Sequence, residues 1–214
     1  MKELVEIKNL SFAYNDKKNI LNNVNLKVIS GDFLAIIGSN GSGKTTLIKI
    51  ILGRLKNYKG IISRNCNEIS YVGQNNHSEY FPATVFEIVM LSLTKDIGIF
   101  KFPKKEHIEK VKKALMKVNM LDYSNKMIGE LSGGQRQRVM IAKAIVKEPE
   151  IIILDEPTNW LDKESVEDLF NILIKLNEEQ NITIIMISHD IINVKKFCSR
   201  ILLIEEGGIK DVTI

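Results

Sequence analysis

One eight-residue run, Gly38-Ser39-Asn40-Gly41-Ser42-Gly43-Lys44-Thr45, limits what this chain can become more than any other stretch. It fits G-x-x-x-x-G-K-[ST], in which glycines let backbone N–H groups converge on phosphate oxygens with no Cβ in the way. The flanks supply the context that this chemistry needs. Phe33-Leu34-Ala35-Ile36-Ile37 is a continuous apolar run, as in a strand buried on both faces. Thr46-Leu47-Ile48-Lys49-Ile50-Ile51-Leu52 reads as a helix ending at Gly53, and its positive end faces the same anion. Lys44 can reach the outer phosphates and the Thr45 hydroxyl can ligate Mg²⁺. Thr46, the next residue, belongs to the same candidate set.

A second site follows Ile151-Ile152-Ile153-Leu154. Asp155, at the carboxyl end of that buried-strand pattern, can hold the Mg²⁺ or its water. Glu156 lies one residue further on, where it can polarise a water for attack on the terminal phosphate. General-base assistance of this kind contributes about 10²–10⁴ in rate.

Composition bounds the remainder. With 214 residues, 44% hydrophobic and 26% charged, the chain fits one large α/β domain, or a main domain with an inserted subdomain. Disordered and collagen-like classes are excluded. A net charge of +4 is too weak to argue for nucleic acid, which calls for basic residues gathered on one face. Cys66 and Cys198 carry no metal-ligand spacing and no disulfide framework, so a reducing cytoplasm is expected. The start, Met1-Lys2-Glu3-Leu4-Val5-Glu6, has charges where a signal peptide needs an apolar run. No apolar stretch approaches the ~18 residues of a spanning helix.

Along the chain, Val5 to Leu10 and Leu21 to Val28 read as half-exposed strands, and Ile69-Ser70-Tyr71-Val72 as another. From about Asn75 to Lys147 the pattern turns helical. Thr84-Val85-Phe86-Glu87 has capping-box spacing and opens a helix through Leu93. Ile108, Val111, Leu115 and Val118 mark one apolar face. Ser132-Gly133-Gly134-Gln135 is a second capping box, leading into a helix from Arg136 to Val146. Strands return at Ile151 to Leu154 and Ile182 to Ile187, with a helix around Glu164 to Leu176 between them. A mostly parallel core sheet with a helical insertion accounts for this order. Ser132-Gly133-Gly134 at a helix start is also an anion site: a hydroxyl, exposed N–H groups and a positive helix end.

Leu131-Ser132-Gly133-Gly134-Gln135 resembles the signature motif of ABC-transporter ATPases, and the other landmarks of that family occur in order from about Leu4 to Gly207. Tyr14 resembles the aromatic residue that stacks on adenine, and Gln74 the Q-loop glutamine, which also serves the Mg²⁺. Asp162, in Thr158-Asn159-Trp160-Leu161-Asp162, resembles the D-loop aspartate. His189, in Ser188-His189-Asp190, resembles the switch histidine, which would contact and sense the γ-phosphate. The resemblance implies an α/β P-loop NTPase core over about 1–74 and 148–214, an antiparallel β subdomain, and a helical subdomain over about 75–147. It implies ATP and Mg²⁺ as ligands, with hydrolysis to ADP and phosphate. Because each signature in the family binds ATP held by the other subunit, it implies a head-to-tail homodimer closing over two ATPs. Gln74 would link that site to the helical subdomain. The expected partners are integral-membrane permease subunits and, indirectly, a solute-binding protein, with no nucleic acid; the expected place is the cytoplasmic face of the membrane.

Phe81-Pro82-Ala83-Thr84-Val85-Phe86-Glu87-Ile88-Val89 resembles the corresponding stretch in ATPases of zinc and manganese importers. A chelated-iron or other importer is the alternative. A non-transport ATPase acting on ribosomes or DNA is a further one, favoured by the Pro-Thr-Asn-x-Leu-Asp form at 157–162 and opposed by the single cassette. His77 and His107 read as surface residues, and Lys101, Lys104, Lys105, Lys110, Lys112 and Lys113 as a solvated face. Trp160 is open between packing across a dimer interface and ordinary packing, and Tyr14 between base stacking and the core.

Overall fold

A computed structural model describes residues 2–14, 19–73, 82–98 and 101–212. Its centre is a six-stranded sheet in the order β5-β6-β7-β3-β8-β9. The strands are β3 (Phe33–Ile37), β5 (Ile69–Val72), β6 (Ile151–Asp155), β7 (Thr183–Ile187), β8 (Arg200–Glu205) and β9 (Gly208–Val212). Five run parallel, and β9 turns back antiparallel against β8. A separate antiparallel sheet, β2-β1-β4, is made by β1 (Glu3–Phe12), β2 (Leu21–Ile29) and β4 (Lys59–Arg64).

The apolar runs become central strands because both of their faces meet a core. Phe33 and Ala35 of β3, Ile152 and Leu154 of β6, and Ile184 and Met186 of β7 join one cluster with the larger helices. The alternate residues Leu34, Ile36, Ile151, Ile153, Ile185 and Ile187 join a second cluster, shared with α1 (Lys44–Ile51) and the antiparallel sheet. Each such Phe, Leu, Ile or Met side chain stabilises the fold by about 1.5–3 kcal/mol relative to exposure. Cys198 is buried, Cys66 is half-buried, and neither is in a disulfide.

Between β5 and β6 the described chain is helical, with one isolated bridge from Thr84 to Met127. The first capping box forms: the Thr84 backbone N–H donates to Glu87 Oε2 at 2.8 Å, and Glu87 N–H donates to Thr84 Oγ1 at 3.2 Å. Its helix, α2, covers only Val85–Met90, and a 3₁₀ turn carries the chain through Leu93. A short α3 (Thr94–Ile97) and then α4 (Lys105–Lys117) follow, with Val111, Ala114 and Leu115 buried. The second capping box opens α5 (Gly133–Ile145), with Gln135 N–H on Ser132 Oγ at 3.3 Å and Ser132 N–H on Gln135 Oε1 at 3.0 Å. Beyond β6 come α6 (Lys163–Gln180) and α7 (Ile191–Phe197).

Three expectations need correction or completion. His107 is not a surface residue: it is 8% exposed, and its Nδ1 accepts the Lys104 backbone N–H at 3.0 Å, which caps α4. Trp160 is 97% exposed, so ordinary packing within the chain is excluded. Tyr14 is 40% exposed with its ring edge-on to Phe12 at 4.8 Å, so it is no core aromatic. The six lysines from Lys101 to Lys113 are exposed, as read from sequence. His77 lies outside the described residues.

Candidate active site

The site sits at the carboxyl ends of the parallel strands, where β3 turns into α1 beside the ends of β6 and β7. Such crevices are where open α/β sheets accept ligands. The turn out of β3 needs glycines. Gly41 and Gly43 have φ of 79° and 110°, and a Cβ on Gly38 (φ 151°) would lie 2.5 Å from the Ile204 carbonyl oxygen. Gly43 caps α1 with no side-chain hydrogen bond, so the first-turn N–H groups are left to an anion. Ser42 Oγ is buried and finds no hydrogen-bond partner among the described residues. Lys44 folds over the loop, its Nζ donating to Gly38 O at 2.9 Å and Ser39 O at 2.8 Å. Burial pulls its ammonium below the usual lysine range, and the Glu156 and Asp155 carboxylates oppose that.

An open cleft of ≈ 610 Å³ is lined by Ile20, Asn40, Gly41, Gly43, Lys44, Thr45, Thr46, Glu156, Asn159 and His189. Four chain segments far apart in sequence therefore meet at one place. Glu156 follows β6 at φ 52°, with its N–H on Ile187 O at 3.0 Å. A non-glycine residue in that region is uncommon and often marks a site. His189 Nε2 lies 2.7 Å from Glu156 Oε1, and Asn159 Nδ2 donates to the other carboxylate oxygen. Asp155 lies deeper, 8% exposed. Burial pushes its carboxyl up, the hydrogen bond from Tyr71 pulls it down, Glu156 pushes up and Lys44 pulls down.

A profile of the ABC transporter family matches residues 21–159. The chain belongs to the ABC transporter family. It is an ABC-type ATP hydrolase, the ATPase subunit of an ABC transporter. The zinc uptake system ATP-binding protein ZurA of Listeria monocytogenes is 40% identical to it, over 99% of this chain and 86% of that protein. The manganese transport system ATP-binding protein MntB of Bacillus subtilis is 36% identical, over 94% of this chain and 82% of that one. The energy-coupling factor transporter ATP-binding protein EcfA1 of Oenococcus oeni is 33% identical, over 97% and 78%. Among solved structures, cbiO1 of Clostridium perfringens, part of the ABC transporter complex cbiONQ, superimposes with a TM-score of 0.89 at 30% identity, over 98% of this chain and 88% of that one. The dimeric ABC transporter cassette MJ0796 gives a TM-score of 0.79 at 29% identity, over 99% and 100%.

Not every expected site residue of this ABC ATPase comes together in the one cleft. Ser132, Gly133, Gly134 and Gln135 do not line it; Gly133 packs beside the loop at 158–162, where a Cβ on it would lie 3.7 Å from Trp160 O, and Gly134 faces Ser165 of α6. Asp162 caps α6, its Oδ1 accepting Ser165 N–H at 2.8 Å, and that bond holds its carboxyl below the usual range. Tyr14 is not among the lining residues either. Gln74 lies outside the described residues. Conversely, Ile20 and Asn159 line the cleft without having been singled out by sequence. Tyr71 is a further addition: its Oη donates to Asp155 Oδ2 at 3.0 Å. Burial and that carboxylate push the phenol up to about 12, so it keeps its proton. Three residues before Gln74 was the available signal for Tyr71, and three after Glu156 the one for Asn159.

Among the described residues no group of three or more His, Cys, Asp and Glu is placed to hold a metal. Mg²⁺ asks for less, because it is usually bound through one or two carboxylates together with substrate phosphates. One hydroxyl, Thr45, and one buried carboxylate, Asp155, beside a phosphate loop fit that demand. No helix among the described residues is long and apolar enough to cross a membrane.

Proposed function

We propose that this chain powers an importer of a divalent transition metal, zinc or manganese. The observation that carries this reading is the 40% identity to a zinc-uptake ATPase across 99% of the chain, against 33% to the energy-coupling factor ATPase. ATP is the substrate. The loop from Gly38 to Thr46 holds its phosphates, Tyr14 stacks on the adenine, and Lys44 leaves the loop carbonyls for the outer phosphates. Thr45, Asp155 and Gln74 hold Mg²⁺, which supplies charge neutralisation at the β- and γ-phosphates when bound. Glu156 takes the proton of the attacking water and His189 contacts the γ-phosphate.

The signature residues Ser132 to Gln135 and Asp162 act on ATP held by a second copy, in a head-to-tail homodimer. Their absence from the Lys44 cleft supports this, as does the dimeric form of a related cassette. The helical segment between β5 and β6 is a subdomain that meets integral-membrane permease subunits, which receive cargo from a solute-binding protein. The working place is the cytoplasmic face of the membrane, and the cargo never touches this chain. Reconstitution with the cognate permease in vesicles tests the assignment: ATP should drive zinc or manganese uptake, and Lys44→Ala should abolish it. ATP-driven uptake of a chelate or vitamin with no metal uptake would overturn the metal assignment.

A further inference from the structure

Tyr71 stands on β5, the strand at one edge of the six-stranded sheet. It reaches across to the carboxylate at the end of the neighbouring strand. β5 and β6 run parallel with Tyr71 opposite Ile153 and Val72 opposite Leu154, so Asp155 falls one step beyond the paired stretch. Period-two alternation puts Ile153 and Asp155 on one sheet face, and Tyr71 packs against the same cluster as Ile153. From there its hydroxyl donates to Asp155 Oδ2 at 3.0 Å.

The ring is itself held. The Arg54 guanidinium, just past α1, lies 4.8 Å from the ring centroid, within cation–π range. On another side the chain leaves room by carrying Gly73. A Cβ there would stand 3.0 Å from Tyr71 Cε1 and 3.2 Å from its Oη. A buried carboxylate with a free torsion could present its oxygens in many orientations. This one is pinned at one oxygen by a donor that is fixed by its own strand, by a cation and by a close backbone.

We propose that Tyr71 is a positioning residue for Asp155, orienting its carboxylate for the Mg²⁺ that accompanies ATP. The proposal depends on the assignment of Asp155 as a metal ligand made above. Mg²⁺ demands near-ideal octahedral geometry at about 2.0–2.1 Å, so an unoriented carboxylate binds it poorly. Hydrogen-bond partners that orient a metal ligand are typically worth about 10–100-fold in metal affinity.

The test uses the whole chain, AMP-PNP, and Mn²⁺ as a paramagnetic stand-in read by electron paramagnetic resonance. Tyr71→Phe keeps the ring and removes only the hydroxyl. It should weaken Mn²⁺ binding to the protein–nucleotide complex about 10-fold and raise the Mg²⁺ concentration for half-maximal ATPase similarly. Nucleotide binding in EDTA should not change. Turnover at saturating Mg²⁺ should recover most of the wild-type rate, a split that a general loss of structure would not give. Arg54→Gln, which frees the ring without touching Asp155, should shift Mn²⁺ affinity in the same direction by about 2–3-fold, and it carries the test if Tyr71→Phe does not fold. Asp155→Asn separates the two assignments. If it weakens Mn²⁺ binding while Tyr71→Phe and Arg54→Gln leave it within twofold, the positioning role is overturned. If Asp155→Asn itself leaves Mn²⁺ affinity intact, the metal-ligand assignment falls, and the Tyr71 proposal with it.

Discussion

Gly134 gives the most demanding prediction, because the structure assigns it a reason that differs from the one its motif suggests. A methyl at this position would lie 2.6 Å from Ser165 Oγ and 2.9 Å from Ser165 Cβ. The hydroxyl could rotate away, but the Cβ is fixed to the first turn of α6, so α5 and α6 must separate. Overpacking of this kind costs about 1–3 kcal/mol, and the backbone-anchored contact places it in the upper half. Alanine returns about 1 kcal/mol of helix propensity relative to glycine. Gly134→Ala should therefore lose about 1–2 kcal/mol, and at this chain length each kcal/mol lowers Tm by about 2–4 °C. Ser165→Gly removes both clashing atoms yet keeps the backbone N–H that Asp162 accepts. In a double-mutant cycle followed by urea denaturation, the pair should show a favourable coupling of about 2–3 kcal/mol, the overpacking cost that Ser165→Gly relieves. ATPase lost in Gly134→Ala should partly return in the double variant, since the shifted helix start borders the 158–162 loop. Coupling below about 0.5 kcal/mol, the level of independent sites, would refute the packing argument.

Three further outcomes are expected. Glu156→Gln should keep ATP binding, cut turnover by about 10²–10⁴ and trap an ATP-bound dimer; wild-type-like phosphate release would remove Glu156 from the base role. Ser132→Arg, made in that hydrolysis-blocked background, should spare monomer nucleotide binding and abolish the dimer on size-exclusion chromatography. Trp160, the chain's single Trp and 97% exposed, supplies a second readout: its emission should move to the blue on dimerisation and stay red-shifted in Ser132→Arg. A dimer that survives Ser132→Arg means the cross-subunit assignment is wrong. Burial pushes the Cys198 thiol up to about 12, so above about pH 8.5 the unfolded chain releases a proton that the folded chain keeps. Its contribution is whole below that pH and fades by about 1.4 kcal/mol per pH unit above it. Urea midpoints between about pH 8.5 and 10.5 should fall less steeply in Cys198→Ala; an equal slope would clear the thiol.

The central strands were legible because burial on both faces writes an uninterrupted apolar run, and β3, β6 and β7 follow those runs closely. Both capping boxes were legible because they are local, complete within four residues. β4 was not: an edge strand with Lys59, Gly60 and Ile61 exposed has no alternation to read, and its pairing partner β1 lies some fifty residues earlier. His107 was misread because a polar residue three after a helix cap can serve the cap and be buried there. The glycines of the phosphate loop carried their reason in sequence, whereas Gly134 did not, since its neighbour Ser165 is brought in by tertiary packing. The same holds for Tyr71 and Asn159. Each touches a carboxylate that sequence had marked, but the touching is decided by how strands and loops come to lie together.

The position of β3 in its sheet has a consequence for how the protein comes into being. Its lateral partners are β7 and β8, with Phe33 opposite Ile184 and Leu34 opposite Arg200. A ribosome working at about 5–20 residues per second needs on the order of 10–30 s after finishing β3 before β7 exists. The strand that presents the phosphate loop is thus among the first made and among the last to find its neighbours. Until then it is an apolar segment with two open edges, the kind of species that chaperones bind and that aggregates at high concentration. Substitutions near the carboxyl terminus, far from any nucleotide, should therefore lower the yield of competent protein by leaving β3 without its partners.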